Sequence, residues 1–136
     1  MPYILQIKDL TEYEGKAFLN SKGNAECVEF VRQTLGLPPT LRWKEGKKIT
    51  KGDSTILKGT AIATFVNGVY PQEGNSGKHA AIYLGYDEVG LIVLDQWRGQ
   101  GMVKKRTIRW KPTNPGISND GNAFSVIETF EPSKGG

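Results

Sequence analysis

The chain has 136 residues, a net charge of +4, one cysteine and one histidine. Its length fits a single domain, 1–136, and its apolar fraction excludes an intrinsically disordered chain. A single cysteine excludes both an intramolecular disulfide and a cysteine-rich zinc site, so we expect no metal. The basic runs at 42–48 and 104–106 have no accompanying nucleic-acid-binding motif. We interpret them as solvated faces and expect no nucleic-acid partner.

The first ten residues do not have the pattern of a secretory signal peptide. They lack a basic n-region, and Gln6 and Lys8 interrupt the short apolar run. No stretch approaches the roughly 18 apolar residues that a membrane span requires. We therefore expect a protein made in the cytoplasm without a signal peptide and without a membrane span.

A helix is predicted from residue 25 to residue 35. Apolar residues recur there at helical spacing, which gives the helix one face that packs inward. Asn24 is a suitable N-cap because its side-chain oxygen can accept a hydrogen bond from a backbone N–H. Gly36 can adopt the left-handed conformation that ends a helix, and the following prolines prevent its continuation.

Strand-like runs fill the second half of the chain, separated by turns rich in Gly, Asn and Pro. They cover residues 59–66, 79–85, 90–97, 102–110 and 123–130. The polar stretch 40–58 is predicted to be irregular, with at most short strands. No crossover helix separates the runs, so the sheet should be largely antiparallel. The predicted fold class is α+β, with an early helix packed on a mostly antiparallel sheet.

Cys27 is a candidate nucleophile because it lies in the first turn of the predicted helix. The positive end of the helix dipole favours the thiolate, and the unpaired N–H groups of the first turn can hold an oxyanion. Glu26 and Glu29 oppose this electrostatically, so a histidine would have to supply most of the activation. The alternative is a small buried hydrophobic residue at a helix start.

His79 and Asp95 are the candidate base and orienting acid. His79 begins one apolar strand, and Asp95 ends the next. The hairpin that they form is centred on Asp87, so a regular register would place residue 79 opposite residue 95. A carboxylate there can bond one imidazole nitrogen and leave the other free as a base. The alternative is that His79 only begins a strand and Asp95 only forms a turn.

Three blocks of sequence resemble those of the papain-like NlpC/P60 and CHAP superfamily of cell-wall amidases. They are residues 23–28, residues 59–65, and residues 77–83 followed by 94–97; the first and third contain the candidate catalytic residues. The small size and the lack of a wall-binding domain make the chain most similar to the stand-alone amidase effectors of type VI secretion systems. The resemblance implies a single papain-like amidase domain, 1–136, that needs no cofactor.

The resemblance also implies an activity and partners. Cys27, His79 and Asp95 would cut an amide in peptidoglycan stem peptides or cross-links. The type VI secretion apparatus would deliver the protein to the periplasm of a target cell, and a cognate immunity protein would protect the producer. Asp95 stands where CHAP domains more often have Glu, and Tyr13 is the nearest upstream candidate for the aromatic hydroxyl that NlpC/P60 enzymes often place near the nucleophile.

Trp43, Lys78 and Trp97 lie near the motifs and are predicted to line a cleft for a carboxylate-rich stem peptide. For the tryptophans, the alternative is packing in the core or at the rim. The basic run 104–109 is predicted either to meet substrate carboxylates or an acidic immunity protein, or to be a solvated edge.

Two other functions remain open at this point. The fold could serve as a non-catalytic module that binds cell-wall peptides or a protein partner, in which case Cys27 should be unreactive. Alternatively, the enzyme could be a housekeeping or phage-derived wall hydrolase, which the neighbouring gene would distinguish from an effector with an immunity protein.

Overall fold

The computed structural model describes residues 2–74, 77–113 and 116–130. Across these ranges, one α-helix packs on a six-stranded sheet with the strand order β1-β6-β2-β3-β4-β5. The elements are α1 (Cys27–Leu35), β1 (Trp43–Lys48), β2 (Ala61–Thr64), β3 (Ala80–Tyr86), β4 (Gly90–Asp95), β5 (Lys104–Arg109) and β6 (Phe124–Thr129). All neighbouring strands are antiparallel. The predicted α+β fold is confirmed.

Helix α1 begins two residues later than predicted. Glu26 is its N-cap, with an extended backbone and no side-chain capping bond. The predicted cap, Asn24, instead donates its N–H to the side chain of Asn20, which closes a separate turn before the helix. The predicted end is confirmed, because Gly36 has a φ of 65° and donates its N–H to the carbonyl of Arg32.

Two apolar layers cover the two faces of the sheet. In the first, Phe30 and Val31 of the helix pack with Ile82 and Leu94 of the sheet. The second uses intervening residues of the same strands and their neighbours: Ala81, Tyr83, Leu91, Val93 and Ile108. Strands β3 and β4 are therefore buried on both faces, which explains their continuous apolar sequence.

Strand β1 is a short strand within residues 40–58, which were predicted to be irregular with at most short strands. Its sequence, WKEGKK, is largely charged, and of its six side chains only that of Trp43 is buried. It pairs with β6 at the edge of the sheet, with an irregularity between Glu45 and Lys48. Charged side chains on an edge strand discourage pairing with other chains. They also leave no alternation of apolar and polar residues from which the strand could be predicted.

A bulge interrupts the β3–β4 hairpin. Near the turn Tyr86 pairs with Leu91, whereas beyond the bulge Ile82 pairs with Leu94. One extra residue on β3 is therefore accommodated between Tyr83 and the turn. This changes the register of the strand ends, where two of the candidate catalytic residues lie.

The predicted pairing of residue 79 with residue 95 across this hairpin is wrong by two positions. Continued by one residue, the observed register places Asp95 opposite Ala81, two residues from His79. Side chains alternate between faces, so a shift of two leaves His79 and Asp95 on the same face. Without the bulge, Asp95 would lie opposite Ile82 and face away from His79. The bulge therefore preserves the contact that the sequence predicts.

Gly59 and Gly52 provide a matched test of packing near β2. Both have a strongly positive φ, but a Cβ on Gly59 would lie 2.1 Å from the carbonyl oxygen of Leu5, while Gly52 has open space. We expect Gly52→Ala to lose about 1–2 kcal/mol of unfolding free energy from backbone strain. Gly59→Ala should lose about 1–3 kcal/mol more because the backbone must shift. Urea unfolding of both variants measures the difference, and equal losses would contradict the close approach.

Candidate active site

Three separate elements bring the candidate catalytic residues together. Cys27 is the first residue of α1, His79 directly precedes β3, and Asp95 is the last residue of β4. The helix packs against β3, and the Cys27 thiol at the helix start hydrogen-bonds with His79, just before β3 begins. Nε2 of His79 lies 2.6 Å from Oδ2 of the fully buried Asp95. The remaining ring nitrogen, Nδ1, is available for the thiol.

The electrostatics of the site favour a thiolate beside an imidazolium. Burial alone raises the pKa of the Cys27 thiol, but a hydrogen bond from His79 and its positive charge, with smaller contributions from Ala80 and Tyr70, lower the pKa overall. Burial likewise lowers the pKa of His79, but hydrogen bonds with Asp95 and Cys27 outweigh it and raise the pKa to about 9. Each group therefore stabilises the charged form of the other.

Tyr70 supplies the aromatic hydroxyl near the nucleophile. Its Oη lies 3.8 Å from Sγ of Cys27, and the residue is almost fully buried. Burial and the neighbouring thiolate charge raise the pKa of Tyr70, so it keeps its proton and can donate. The expected candidate, Tyr13, instead packs its ring 6.1 Å from that of Phe30 in the core. A hydroxyl that comes from a distant loop leaves no motif beside the cysteine.

Gln96 holds the backbone that leads into the helix. Its amide accepts from the N–H of Phe18 and donates to the carbonyls of Phe18 and Glu26, at 3.0, 2.7 and 2.8 Å. The residue is fully buried. Asp95, the preceding residue, binds His79, so the end of β4 positions both His79 and Glu26, the residue before Cys27. The sequence places Gln96 in a motif but does not indicate its partners.

Thr64 fixes the backbone of the base. Its Oγ1 accepts a hydrogen bond of 3.0 Å from the N–H of His79, and its own N–H donates to the carbonyl of His79. Thr64 is fully buried at the end of β2. His79 is therefore held through its backbone as well as through its ring.

A cleft of about 580 Å³ opens over Cys27 and His79. Its other lining residues come from four connecting segments and the helix start: Asn20, Glu26, Val28, Thr40, Tyr70, Lys78, Trp97 and Arg98. A smaller hollow of about 250 Å³ lies elsewhere, around Ile4 and Leu57, and has no cysteine or histidine in its lining. Of these two hollows, the larger one is lined by Cys27 and His79.

Two of the three predicted substrate contacts line this cleft. Lys78 donates from Nζ to the carbonyl of Pro71 at 3.2 Å and lies 5.8 Å from the centre of the Tyr70 ring. Trp97 is 37% exposed, and its ring stands edge-on to His79 at 6.2 Å. Arg98, which the sequence analysis did not single out, adds a further cation at the mouth.

Trp43 is not a cleft residue, and the prediction that it contacts substrate is wrong. Its side chain is fully buried, its Nε1–H donates to the carbonyl of Pro38, and its ring packs 5.0 Å from that of Tyr70. It belongs to the apolar layer beneath the helix. Its effect on the site is indirect, through the support that it gives to Tyr70.

The two glutamates near the nucleophile both have cationic partners. Glu29 lies 3.3 Å from Arg32, and Glu26 lies 3.8 Å from Arg98 at the mouth of the cleft. These exposed or half-buried pairs reduce the opposition to a thiolate that the sequence predicts for Glu26 and Glu29. The largest contribution that lowers the pKa of the Cys27 thiol comes from His79.

Neither a metal cluster nor a membrane helix occurs in the part of the chain that the structure describes. Over residues 2–74, 77–113 and 116–130, no group of three or more His, Cys, Asp or Glu side chains is placed to hold a metal ion. No helix within these ranges is both long and apolar enough to cross a bilayer.

Among solved structures, the chain is similar to "Type 6 secretion amidase effector 2 (Tae2)", with a TM-score of 0.77 and 31% identity over 95% of this chain and 96% of that one. The predicted papain-like α+β fold is therefore confirmed. A family model described as domesticated amidase effector 2 matches residues 3–127. The chain belongs to this family of amidase effectors.

Curated relatives agree with this assignment. The chain is 41% identical over 109 residues to the "Type VI secretion amidase effector 2 protein" of Salmonella typhi, which covers 78% of this chain and 80% of the relative. It is 34% identical over 104 residues to "Domesticated amidase effector 2" of Ixodes scapularis, which covers 74% and 70%. The resemblance to type VI secretion amidase effectors that the motifs indicate is confirmed.

The lowered pKa of Cys27 predicts rapid alkylation below neutral pH. Iodoacetamide at pH 6 should modify the folded protein faster than the urea-unfolded protein, and the readout is specific because the chain has one cysteine. In His79→Ala the burial of the thiol remains while its counter-charge is lost. That variant should react more slowly than the unfolded reference. Equal rates in the wild type and in His79→Ala would contradict a thiolate–imidazolium pair.

Proposed function

We propose that the protein is a cysteine-dependent amidase that cuts peptidoglycan peptides, with Cys27 as nucleophile, His79 as acid and base, and Asp95 as the group that orients the imidazole. The observation that carries this is the line of thiol, imidazole and buried carboxylate at the floor of an open cleft. Nucleophile, base and orienting group in hydrogen-bonded sequence are the arrangement that acyl transfer requires.

The first half-reaction forms an acyl-enzyme. The Cys27 thiolate attacks the scissile carbonyl carbon, a C–S bond forms, and the carbonyl π electrons move to oxygen. Backbone N–H groups in the first turn of α1 and the Tyr70 hydroxyl, which lies 3.8 Å from Sγ of Cys27, would donate to that oxyanion. The intermediate then collapses. The C–N bond breaks, and the leaving nitrogen takes the proton of the His79 imidazolium.

The second half-reaction releases the acid. The now neutral His79 removes a proton from water, the resulting hydroxide attacks the thioester carbon, and the C–S bond breaks to regenerate the thiolate. Throughout, the Asp95 carboxylate holds Nε2–H of the ring, so Nδ1 stays directed toward the reacting atoms. His79 is then again an imidazolium beside the thiolate, and the site is ready for another turnover.

The charges of the cleft suit an anionic peptide. Lys78 and Arg98 contribute cations to its lining, while Glu26 is paired with Arg98. Peptidoglycan stem peptides carry free carboxylates beside their amides, which are groups that such cations attract. Trp97 offers an exposed ring beside His79 on which a peptide can pack.

Export and immunity follow from the same proposal. Relatives named as type VI secretion amidase effectors support a protein that a type VI apparatus delivers to a target-cell periplasm, where it degrades the wall as an antibacterial toxin. A producer cell would then need a cognate immunity protein. The higher identity to the Salmonella typhi relative than to the Ixodes scapularis relative favours this secretion context over a domesticated one.

Digestion of purified sacculi tests the proposed activity. The wild type should release stem peptides or remove cross-linked dimers, and mass spectrometry of the muropeptides will identify the amide that is cut. Cys27→Ala, whose folding is checked by circular dichroism, should leave the muropeptide profile unchanged because no nucleophile remains. Unchanged profiles with the wild type as well would leave a non-catalytic binding module as the better description.

Lys78 is expected to act in substrate binding and not in the chemical step. Lys78→Met keeps the apolar stem against Tyr70 but removes the cation, so KM on isolated muropeptides should rise about three- to fivefold with kcat unchanged. Lys22→Met removes the same charge from an exposed position outside the cleft and serves as the control. A fall in kcat without a change in KM would refute the binding role.

A further inference from the structure

The basic strand β5 sends one side chain into the active site. Arg106 donates from Nε to both oxygens of Asp95, at 3.0 Å to Oδ1 and 2.8 Å to Oδ2. Its Nη2 lies 3.4 Å from Nε2 of His79. The guanidinium also stacks over the ring of Trp97 at 4.6 Å. These contacts leave Arg106 only 26% exposed, whereas Lys104, Lys105 and Arg109 on the same strand are exposed.

We propose that Arg106 is a positioning residue of the active site, which holds the buried Asp95 carboxylate against His79 and balances its charge. This inference rests on the proposed function, because it assigns Arg106 a part in the chemistry of Cys27. It replaces the expectation that this part of the basic run meets a substrate carboxylate. The carboxylate that Arg106 meets belongs to the protein itself.

Charge balance is the physical reason for this role. Asp95 is fully buried, and a buried carboxylate is stable only when it is paired and hydrogen-bonded. His79 supplies one bond to it, and this bond fixes the ring only while Asp95 stays ionised. With Arg106, the working site contains two negative groups, the Cys27 thiolate and Asp95, and two positive groups, His79 and Arg106. Without Arg106, one buried negative charge lacks a counter-charge.

The geometry also explains why Arg and not Lys occupies this position. The guanidinium plane stacks on Trp97 while its Nε edge faces the carboxylate, and an ammonium cannot do both. Trp97 in turn stands edge-on to the His79 ring. Trp97 and Arg106 therefore pack together against the hydrogen-bonded pair of His79 and Asp95.

Removal of Arg106 must make the Cys27 thiol harder to ionise. The site loses one positive charge and becomes more negative, which raises the pKa of the thiol. The other charged or titratable groups near the cleft, namely Glu26, Arg98, Lys78 and Tyr70, are the same in all variants and therefore cancel in the comparison.

The test compares Arg106→Gln, Arg106→Lys and the control Lys105→Gln, an exposed residue beside Arg106 on β5. The readouts are the pH profile of iodoacetamide alkylation of Cys27, and kcat and KM on purified cross-linked muropeptides. Arg106→Gln should move the alkylation profile to higher pH and lower kcat about 10- to 100-fold with KM unchanged. Arg106→Lys should lie between, and Lys105→Gln should match the wild type.

A double-mutant cycle with Asp95 separates positioning from other roles. In the Asp95→Asn background, Arg106→Gln should cause no further loss of kcat, because the group through which it acts is already neutral. The double variant also removes both buried charges, so it can fold where Arg106→Gln alone does not, and circular dichroism monitors this. If the double variant has the same kcat and alkylation profile as Asp95→Asn, the proposal is supported even if Arg106→Gln alone unfolds.

Three results would overturn the proposal. They are a rise in KM with unchanged kcat and alkylation, an equal effect of Lys105→Gln, or a full multiplicative loss in the Asp95→Asn background. If the wild type cleaves no muropeptide, the proposed function fails. The alkylation profiles then still decide whether Arg106 tunes the thiol, so the two failures are distinguishable.

Discussion

The buried carboxylate of Asp95 is the constraint on which the rest of the site depends. A fully buried negative charge requires donors on every side that it presents, and here they come from two other elements, His79 before β3 and Arg106 on β5. The ends of three adjacent strands must therefore meet at one point. The antiparallel order β3-β4-β5 brings them there, and the bulge in β3 sets the face on which His79 is presented.

The end of β4 also links the sheet to the helix. Gln96 follows Asp95 directly and binds the backbone on both sides of the loop that leads to Cys27. One short segment thus sets the position of His79 through Asp95 and that of Cys27 through Gln96. In the proposed reaction, a misplacement of about 1 Å can cost much of the rate. Asp95 and Gln96, which are adjacent in the chain, therefore keep His79 and Cys27 at a fixed separation.

Much of this arrangement follows from local signals. The helix end at Gly36 is readable because a left-handed residue is required there, and the apolar runs of β3 and β4 are readable because both faces are buried. The position of strand β1 could not be predicted from apolar alternation because five of its six residues are charged or glycine. The single cysteine and histidine limited the possible nucleophile and base to one each, which is why Cys27 and His79 could be selected without any structure.

The sequence by itself determined the fold class, the helix and strands β2 to β6, since these depend on local periodicity. Residue type selected Cys27, His79 and Asp95 as candidates for acyl transfer. Only the tertiary structure decided which distant groups surround them. Tyr70 approaches Cys27 from another loop, Arg106 reaches Asp95 from the edge strand, and Trp43 turns into the core. A side chain's surroundings depend on strand register and loop path, and a change of one residue in register reverses the face, so composition and spacing alone do not specify them.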